Sequence, residues 1–301
     1  VSESVTEPVA LYRKKGFPTL GGKQFWTDFR WWFGLRLQQN QVTKHWRVLS
    51  PKNGRLASGD LDTCLSAYHH HQVDIPAETV ERVVVLVHGL MRTSVSLKRL
   101  GSFLQSQGWT HVIDFRYASS RSTMARHAEA LHSVISHLPG HPQLNFVGHS
   151  MGNIVIRHLI GDWQREGHCQ SFLQRLGRIV MLAPPNQGSA VARALGYTGL
   201  FQLITGRPGT QLGWKWDEIK GRLSIPPCPV AIVAGESSFS SWNPMVRGPS
   251  DLIVAVAETN LPGVSERFIV PAIHSFIMED RRVQQATARF LNGGSLVTRE
   301  S

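Results

Sequence analysis

Five consecutive apolar residues, the run VVVLV from Val83 to Val87, leave no polar face for water. A half-exposed strand would alternate in polarity, so this run predicts a strand covered on both sides, as in a parallel sheet with helices on each face. The chain after Glu81 keeps that rhythm. Short β-branched runs at HVIDF (His111 to Phe115), LNFV (Leu144 to Val147), RIVML (Arg178 to Leu182), PVAIVA (Pro229 to Ala234) and RFIV (Arg267 to Val270) are interleaved with helical patterns. Those patterns cover Ser94 to Gln107, Met124 to Leu138, Asn153 to Glu166 and Asp280 to Leu291. Such alternation predicts an α/β fold, a mostly parallel central sheet flanked by helices.

The 301 residues, 42% hydrophobic and 18% charged, suit one large globular core, and no apolar run nears the roughly 20 residues of a membrane span. A soluble protein is expected, cytoplasmic or exported after loss of a signal segment, since the chain starts at Val1. The net charge of +11 is concentrated early: residues 1 to 60 carry ten Lys or Arg against four acids. No zinc-finger, RNP or homeodomain pattern accompanies that excess, so no nucleic-acid partner is expected.

Residues 1–80 are read as an N-terminal extension with first strands packed on a catalytic unit of residues 81–301. Within the extension, QFWTDFRWWFGLRLQQN (Gln24 to Asn40) interleaves aromatics with Arg30 and Arg36. Its helical periodicity predicts an amphipathic segment packed on its own domain, with weak membrane-surface contact as the alternative that the basic balance supports. WRVLSPKNGRLASGDL predicts an antiparallel strand pair. The triplet His69-His70-His71 lacks a neighbouring Cys or carboxylate cluster and is assigned to a surface loop, so no metal is expected. Cys64, Cys169 and Cys228 are too scattered for a zinc site; one bridge or three buried thiols are both open.

The chemistry concentrates at NFVGHSMGN, where Ser150 stands between Gly148 and Gly152 at the handover from a strand to a helix. A serine hydroxyl needs a base to remove its proton, and the base needs a carboxylate to orient it. G-x-S-x-G at a strand–turn–helix supplies the strained turn, with small residues where bulky ones would collide. About 60 residues earlier, His88-Gly89 ends the VVVLV strand, which offers the amide of Leu90 as an oxyanion donor beside that of Met151. His274, after the last strand and before the last helix, is the candidate base. Asp251 in GPSDLIVAVAE is the preferred acid, with Glu236 directly after VAIVAG as its rival and Asp114 in reserve. His149 is assigned a packing role with its side chain pointing away across the turn, and His88 a bracing role under the Leu90 loop. His127, His132, His137 and His158 are read as surface or satisfied core residues.

The segments VHGLMRTS, GHSMGN, LAPPNQGS, GPSDLIVAV and IHSFIM, in this order, resemble the α/β-hydrolase superfamily, in particular its bacterial lipases and esterases. The resemblance spans about Val83 to Leu291. It implies an α/β-hydrolase fold with Ser150, Asp251 and His274 as catalytic triad, Leu90 and Met151 as oxyanion hole, and Asn186 to Ser189 near the site. The chain departs from the pattern in Asp251-Leu252-Ile253, where many lipases have Asp-Gly, and in Leu90-Met91, where others have a glycine run.

The insertion at about 186–227 is expected either to form a cap or lid over the pocket or to be ordinary packed helices. Met91, Phe201, Leu203, Trp214, Trp216, Trp242 and Phe276, with Leu90 and Met151, are the apolar residues available to a substrate pocket. They favour a small-molecule or lipid ester of short to medium acyl chain, cleaved through an acyl-enzyme on Ser150 with no cofactor. An acyltransferase on the same triad and a non-catalytic binding protein of the same fold are the alternatives.

Overall fold

The computed structural model describes residues 22–75, 80–195, 208, 211–212, 216–240, 245–264 and 266–297. Two sheets organise them. Strands β1 (Trp26–Trp32), β2 (Leu35–Asn40), β3 (Trp46–Leu49) and β4 (Arg55–Gly59) form an antiparallel meander, followed by helix α1 (Leu61–Val73). Strands β5 (Arg82–Val87), β6 (Val112–Phe115), β7 (Gln143–His149), β8 (Leu176–Leu182), β9 (Val230–Gly235) and β10 (Glu266–Val270) form a parallel sheet in the order β10-β9-β8-β7-β5-β6.

The strand β5 occupies the two-sided position its composition demands. Val83, Val85 and Val87 pack with α3 (Met124–Ser136) and α4 (Met151–Arg165) on one face. Val84 and Leu86 pack on the other with α2 (Lys98–Ser106) and the C-terminal helix α8 (Arg281–Leu291). Each such side chain contributes about 1.5–3 kcal/mol by leaving water. The short helix α5 (Gln170–Gln174) precedes β8, and the short helices α6 (Ala190–Leu195) and α7 (Trp216–Lys220) lie between β8 and β9. Within the 186–227 insertion, residues 196–207, 209–210 and 213–215, and with them the cap expectation, lie outside the described residues.

The amphipathic-helix reading of Gln24–Asn40 is overturned: these residues form a short 3-10 turn and the β1–β2 hairpin. Phe33 and Gly34 make the reversal, both at positive φ (45° and 91°), the conformation that two-residue hairpins require. A register shift between Asp28 and Arg30 breaks the two-residue alternation that would have marked the strand. The aromatics are taken up in packing, with Trp31 in the main core and Trp32 against the small core of Leu35, Leu37, Val48 and Tyr68. The antiparallel pair expected at Trp46 onward is present as β3 and β4. His69, His70 and His71 lie in the last turns of α1 rather than in a loop. All three cysteines are free thiols, Cys64 and Cys169 buried and Cys228 half-buried.

The meander also shields the exposed edge of β6. Asp28 Oδ2 accepts the amide of Arg116 at 3.0 Å, Asp28 N donates to Arg116 O at 2.8 Å, and Arg36 Nη1 donates to Asp114 O at 3.1 Å. Two polar side chains and a backbone amide thus satisfy backbone groups that an open edge would offer to another chain. Asp114, the reserve acid, is committed here: Arg36 and Arg116 pair with it and hold its carboxyl below the usual range against the opposing effect of burial. Among the described residues no helix is long and apolar enough to cross a membrane.

Candidate active site

The chain direction across the sheet reverses between β6 and β7, which lie on opposite sides of β5. The crevice beyond the carboxyl ends of β5 and β7 is therefore the switch point where open α/β sheets bind ligands. Ser150 stands there, between the last residue of β7 and the first of α4, at φ 52° and ψ −123°. That backbone conformation is costly for a non-glycine residue and persists only where neighbours enforce it. The enforcement is visible: Ser150 N donates to Leu182 O at 2.9 Å, and Asn153 Nδ2 donates to the carbonyls of Ser150 and Leu182 at 3.1 Å each. A Cβ at Gly148 would lie 2.2 Å from Asn153 Oδ1.

His274 opens a 3-10 segment (His274–Glu279) after β10 and bridges two groups. Its Nε2 is 2.9 Å from Ser150 Oγ and its Nδ1 is 2.7 Å from Asp251 Oδ2. Asp251 is 1% exposed and fully engaged, its Oδ1 accepting the amides of Ile253 (3.0 Å) and Val254 (2.8 Å) across a tight turn with Leu252 at φ 81°. Both amides and the histidine ring thus converge on one carboxylate. Gly235 at the end of β9 makes room for it, since a Cβ there would sit 2.8 Å from Asp251 Cβ. Glu236, the rival acid, is exposed, with its amide bonded to Val270 O.

The loop after β5 presses against the serine. A Cβ at Gly89 would lie 3.0 Å from His149 Nδ1 and 3.1 Å from Ser150 Cβ, so any larger residue there would crowd the turn that carries the serine. Met151, first residue of α4, is buried with its amide at the open end of the helix, where intrahelical acceptors are lacking. Met91 and Phe276 stand exposed on the segments that carry Leu90 and His274, and Trp216 packs half-buried against the main core. Phe201, Leu203, Trp214 and Trp242 lie outside the described residues. A cavity of about 350 Å³ lies behind the Leu90 loop, lined by His88, Ser94, Lys98, Asp114 and Tyr117, and Ser150 does not line it.

Residues 84–300 match the family model described as the alpha/beta hydrolase family. The chain belongs to that family. The match begins inside β5, so β1–β4 and α1 stand outside it. Among solved structures, this hydrolase is similar to the mature form of the Bacillus licheniformis lipase BlEst2, at 16% identity and a TM-score of 0.57 over 72% of this chain and 96% of that one. It is similar also to the phospholipase PlaB from Legionella pneumophila, at 17% identity and a TM-score of 0.56 over 72% of this chain and 60% of that one. At these identities the likeness establishes the fold. No curated protein matches the hydrolase in sequence.

Besides His274, four histidines of this hydrolase are buried among the described residues. His88 donates from Nδ1 to its neighbour Gly89 O at 2.9 Å and stacks on Tyr117 at 4.2 Å, so it does brace the loop. Burial pushes it down to about 4, and His127, edge-on to Tyr117, down to about 3. His158 pairs with Asp162 at 2.9 Å. His149 does not point away across the turn: it is buried against His274, its ring 4.9 Å from that of His274 and its Nε2 3.0 Å from His274 O. Sequence spacing could not reveal this, because which way the residue before a nucleophile turns depends on a loop 125 positions later in the chain.

Proposed function

We propose that this α/β hydrolase is a serine esterase that cleaves carboxylic esters through an acyl-enzyme on Ser150. The observation that carries the proposal is His274 bridging Ser150 Oγ and Asp251 Oδ2 at 2.9 and 2.7 Å. That chain of contacts is what transfer of the serine proton requires.

Ser150 Oγ attacks the ester carbonyl while His274 Nε2 takes its proton, and the Asp251 carboxylate stabilises the imidazolium that forms. The tetrahedral oxyanion is held by the amides of Leu90 and Met151, a role supported by the tightness of Gly89 against Ser150 and by the helix end at Met151. As the C–O bond to the alcohol breaks, His274 returns the proton to the leaving oxygen. Water then repeats the sequence on the acyl-enzyme and releases the acid, with no cofactor in any step.

The substrate is an apolar ester of short to medium acyl chain. Support comes from Met91, Phe276, Ile253 and Ile273, which are 57, 53, 39 and 37% exposed on the segments that bear Leu90, His274 and Asp251. Residues 81–301 act as the catalytic unit, residues 1–80 as an extension packed on it, and the 186–227 insertion as a cap. The start of that insertion is tied to the acid-bearing segment through Ser189 Oγ to Ile253 O (3.4 Å) and Ala190 N to Glu258 Oε1 (2.6 Å). A rate series on p-nitrophenyl esters of increasing chain length tests the reading. Turnover that rises with chain length and then falls is expected; a flat or absent response would contradict it.

A further inference from the structure

Two consecutive carbonyls of the base-bearing segment are held by side chains from two other parts of the site. His149, on β7 immediately before Ser150, reaches His274 O through Nε2 at 3.0 Å. Arg92, on the loop that carries Leu90, donates Nη2 to Ser275 O at 3.1 Å. We propose that His149 and Arg92 are positioning residues that clamp the His274–Ser275 backbone and so keep the base in register with the nucleophile and the oxyanion amides. The inference rests on the serine-esterase reading and adds two residues to it.

A carbonyl oxygen only accepts, so the proton of neutral His149 is on Nε2 and its Nδ1 is bare. That Nδ1 has no hydrogen-bond partner among the described residues and lies 3.0 Å from where a Cβ on Gly89 would be. The imidazole therefore fills the space between the Leu90 loop and the base. Burial, and after it the neighbouring charge of His274, hold His149 well below the usual histidine range. A neutral ring suits this position, because His274 becomes an imidazolium in the transition state and a second cation 4.9 Å away would oppose it.

The anchors are complementary. His274 N donates to Asp251 O at 2.9 Å, so with His149 on its carbonyl the base residue is tied at both backbone ends as well as through its ring. Arg92 is itself fixed in a turn, its amide donating to Gly89 O at 3.3 Å and its carbonyl accepting from Ser119 Oγ at 3.4 Å. Without the two donors, the His274–Glu279 turn keeps its connection to the acid but loses its backbone ties to the elbow and the Leu90 loop, and only the ring contact with Ser150 Oγ remains on that side. Drift of about 1 Å in a catalytic group costs up to about 100-fold in rate.

The test compares His149→Leu and Arg92→Met, which remove the donors, with His149→Gln and Arg92→Lys, which keep an N–H. Two quantities are read: kcat on p-nitrophenyl butyrate per site titrated with a fluorophosphonate, and amide hydrogen exchange across residues 274–279. The Leu and Met variants are expected to lose about 10- to 100-fold in kcat with little change in KM. The Gln and Lys variants should recover part of the loss, and exchange across 274–279 should quicken where the donor is gone. Wild-type kcat per titrated site together with unchanged exchange would overturn the clamp. If the wild type turns over no ester, the esterase reading falls by itself, and exchange alone then decides: faster upholds the clamp, unchanged removes it.

Discussion

Gly152 leaves no room for a side chain beneath Val87, since a Cβ there would stand 2.1 Å from the Val87 carbonyl oxygen and 2.8 Å from that of His88. The start of the nucleophile helix is thus pressed onto the end of the strand that leads to Leu90. This approach brings Ser150 and the Leu90 loop together, and it depends on backbone rather than on a movable side chain. Gly152→Ala is expected to destabilise the protein by about 1–3 kcal/mol, the usual range for overpacking, or to prevent folding. Urea unfolding of the purified variant measures it; wild-type stability would show that the two segments can part freely.

The proposed acid role separates two otherwise similar carboxylates. Asp251→Asn is expected to keep the fold and to lower kcat by about 10⁴-fold, the effect of the same change in other serine triads. Glu236→Gln should leave kcat within about twofold, its side chain being exposed. Steady-state kinetics on a p-nitrophenyl ester read both, and the reverse ranking would transfer the role to Glu236.

Away from the site, Arg36 links the two sheets by pairing with Asp28 and Asp114. Asp28 is 1% exposed and also receives Gln38 Nε2 at 2.7 Å, so removing the guanidinium strands a buried carboxylate. Arg36→Met is expected to cost about 3–5 kcal/mol, whereas the exposed pair Arg126–Glu129 should yield under about 1 kcal/mol on Arg126→Ala. Denaturant midpoints of the two variants provide the comparison.

The buried histidines set the response to acid. His88 and His127 are held down to about 4 and about 3 by burial, while in the unfolded chain each titrates near 6.5. Below that value the unfolded state binds more protons, so their contribution is complete above about pH 6.5 and is lost as pH falls toward 4. Unfolding free energy should therefore drop between pH 6.5 and 5, with a slope of up to about 1.4 kcal/mol per pH unit from each histidine. His127→Phe should flatten that slope; an unchanged slope would mean His127 titrates alike in both states.

The parts of this arrangement that are written locally were legible in the sequence. VVVLV needs two covered faces wherever it sits, and G-x-S-x-G after a strand needs a strained turn, so β5, β7 and Ser150 followed from residues within a few positions of one another. The β3–β4 pair was legible too, but the β1–β2 hairpin was not, because the turn at Phe33-Gly34 and the shift at Asp28 hide it inside aromatics spaced as on a helix. For the partner of His274 the sequence left a choice between two carboxylates, and the contact falls to Asp251. What separates them is the turn at Leu252, which folds the amides of Ile253 and Val254 onto Asp251. His149 was misread for a similar reason: its partner is the backbone of a loop far along the chain, and backbone carries no sequence signature.

The most direct measurement is the site of covalent labelling by a fluorophosphonate, read by mass spectrometry of the peptide containing Ser150, together with release of p-nitrophenol from a short-chain ester. One label on Ser150, ester turnover by the wild type, and loss of both in Ser150→Ala are the expected results. A folded wild-type protein that takes no label on Ser150 and turns over no ester would contradict the serine-esterase reading.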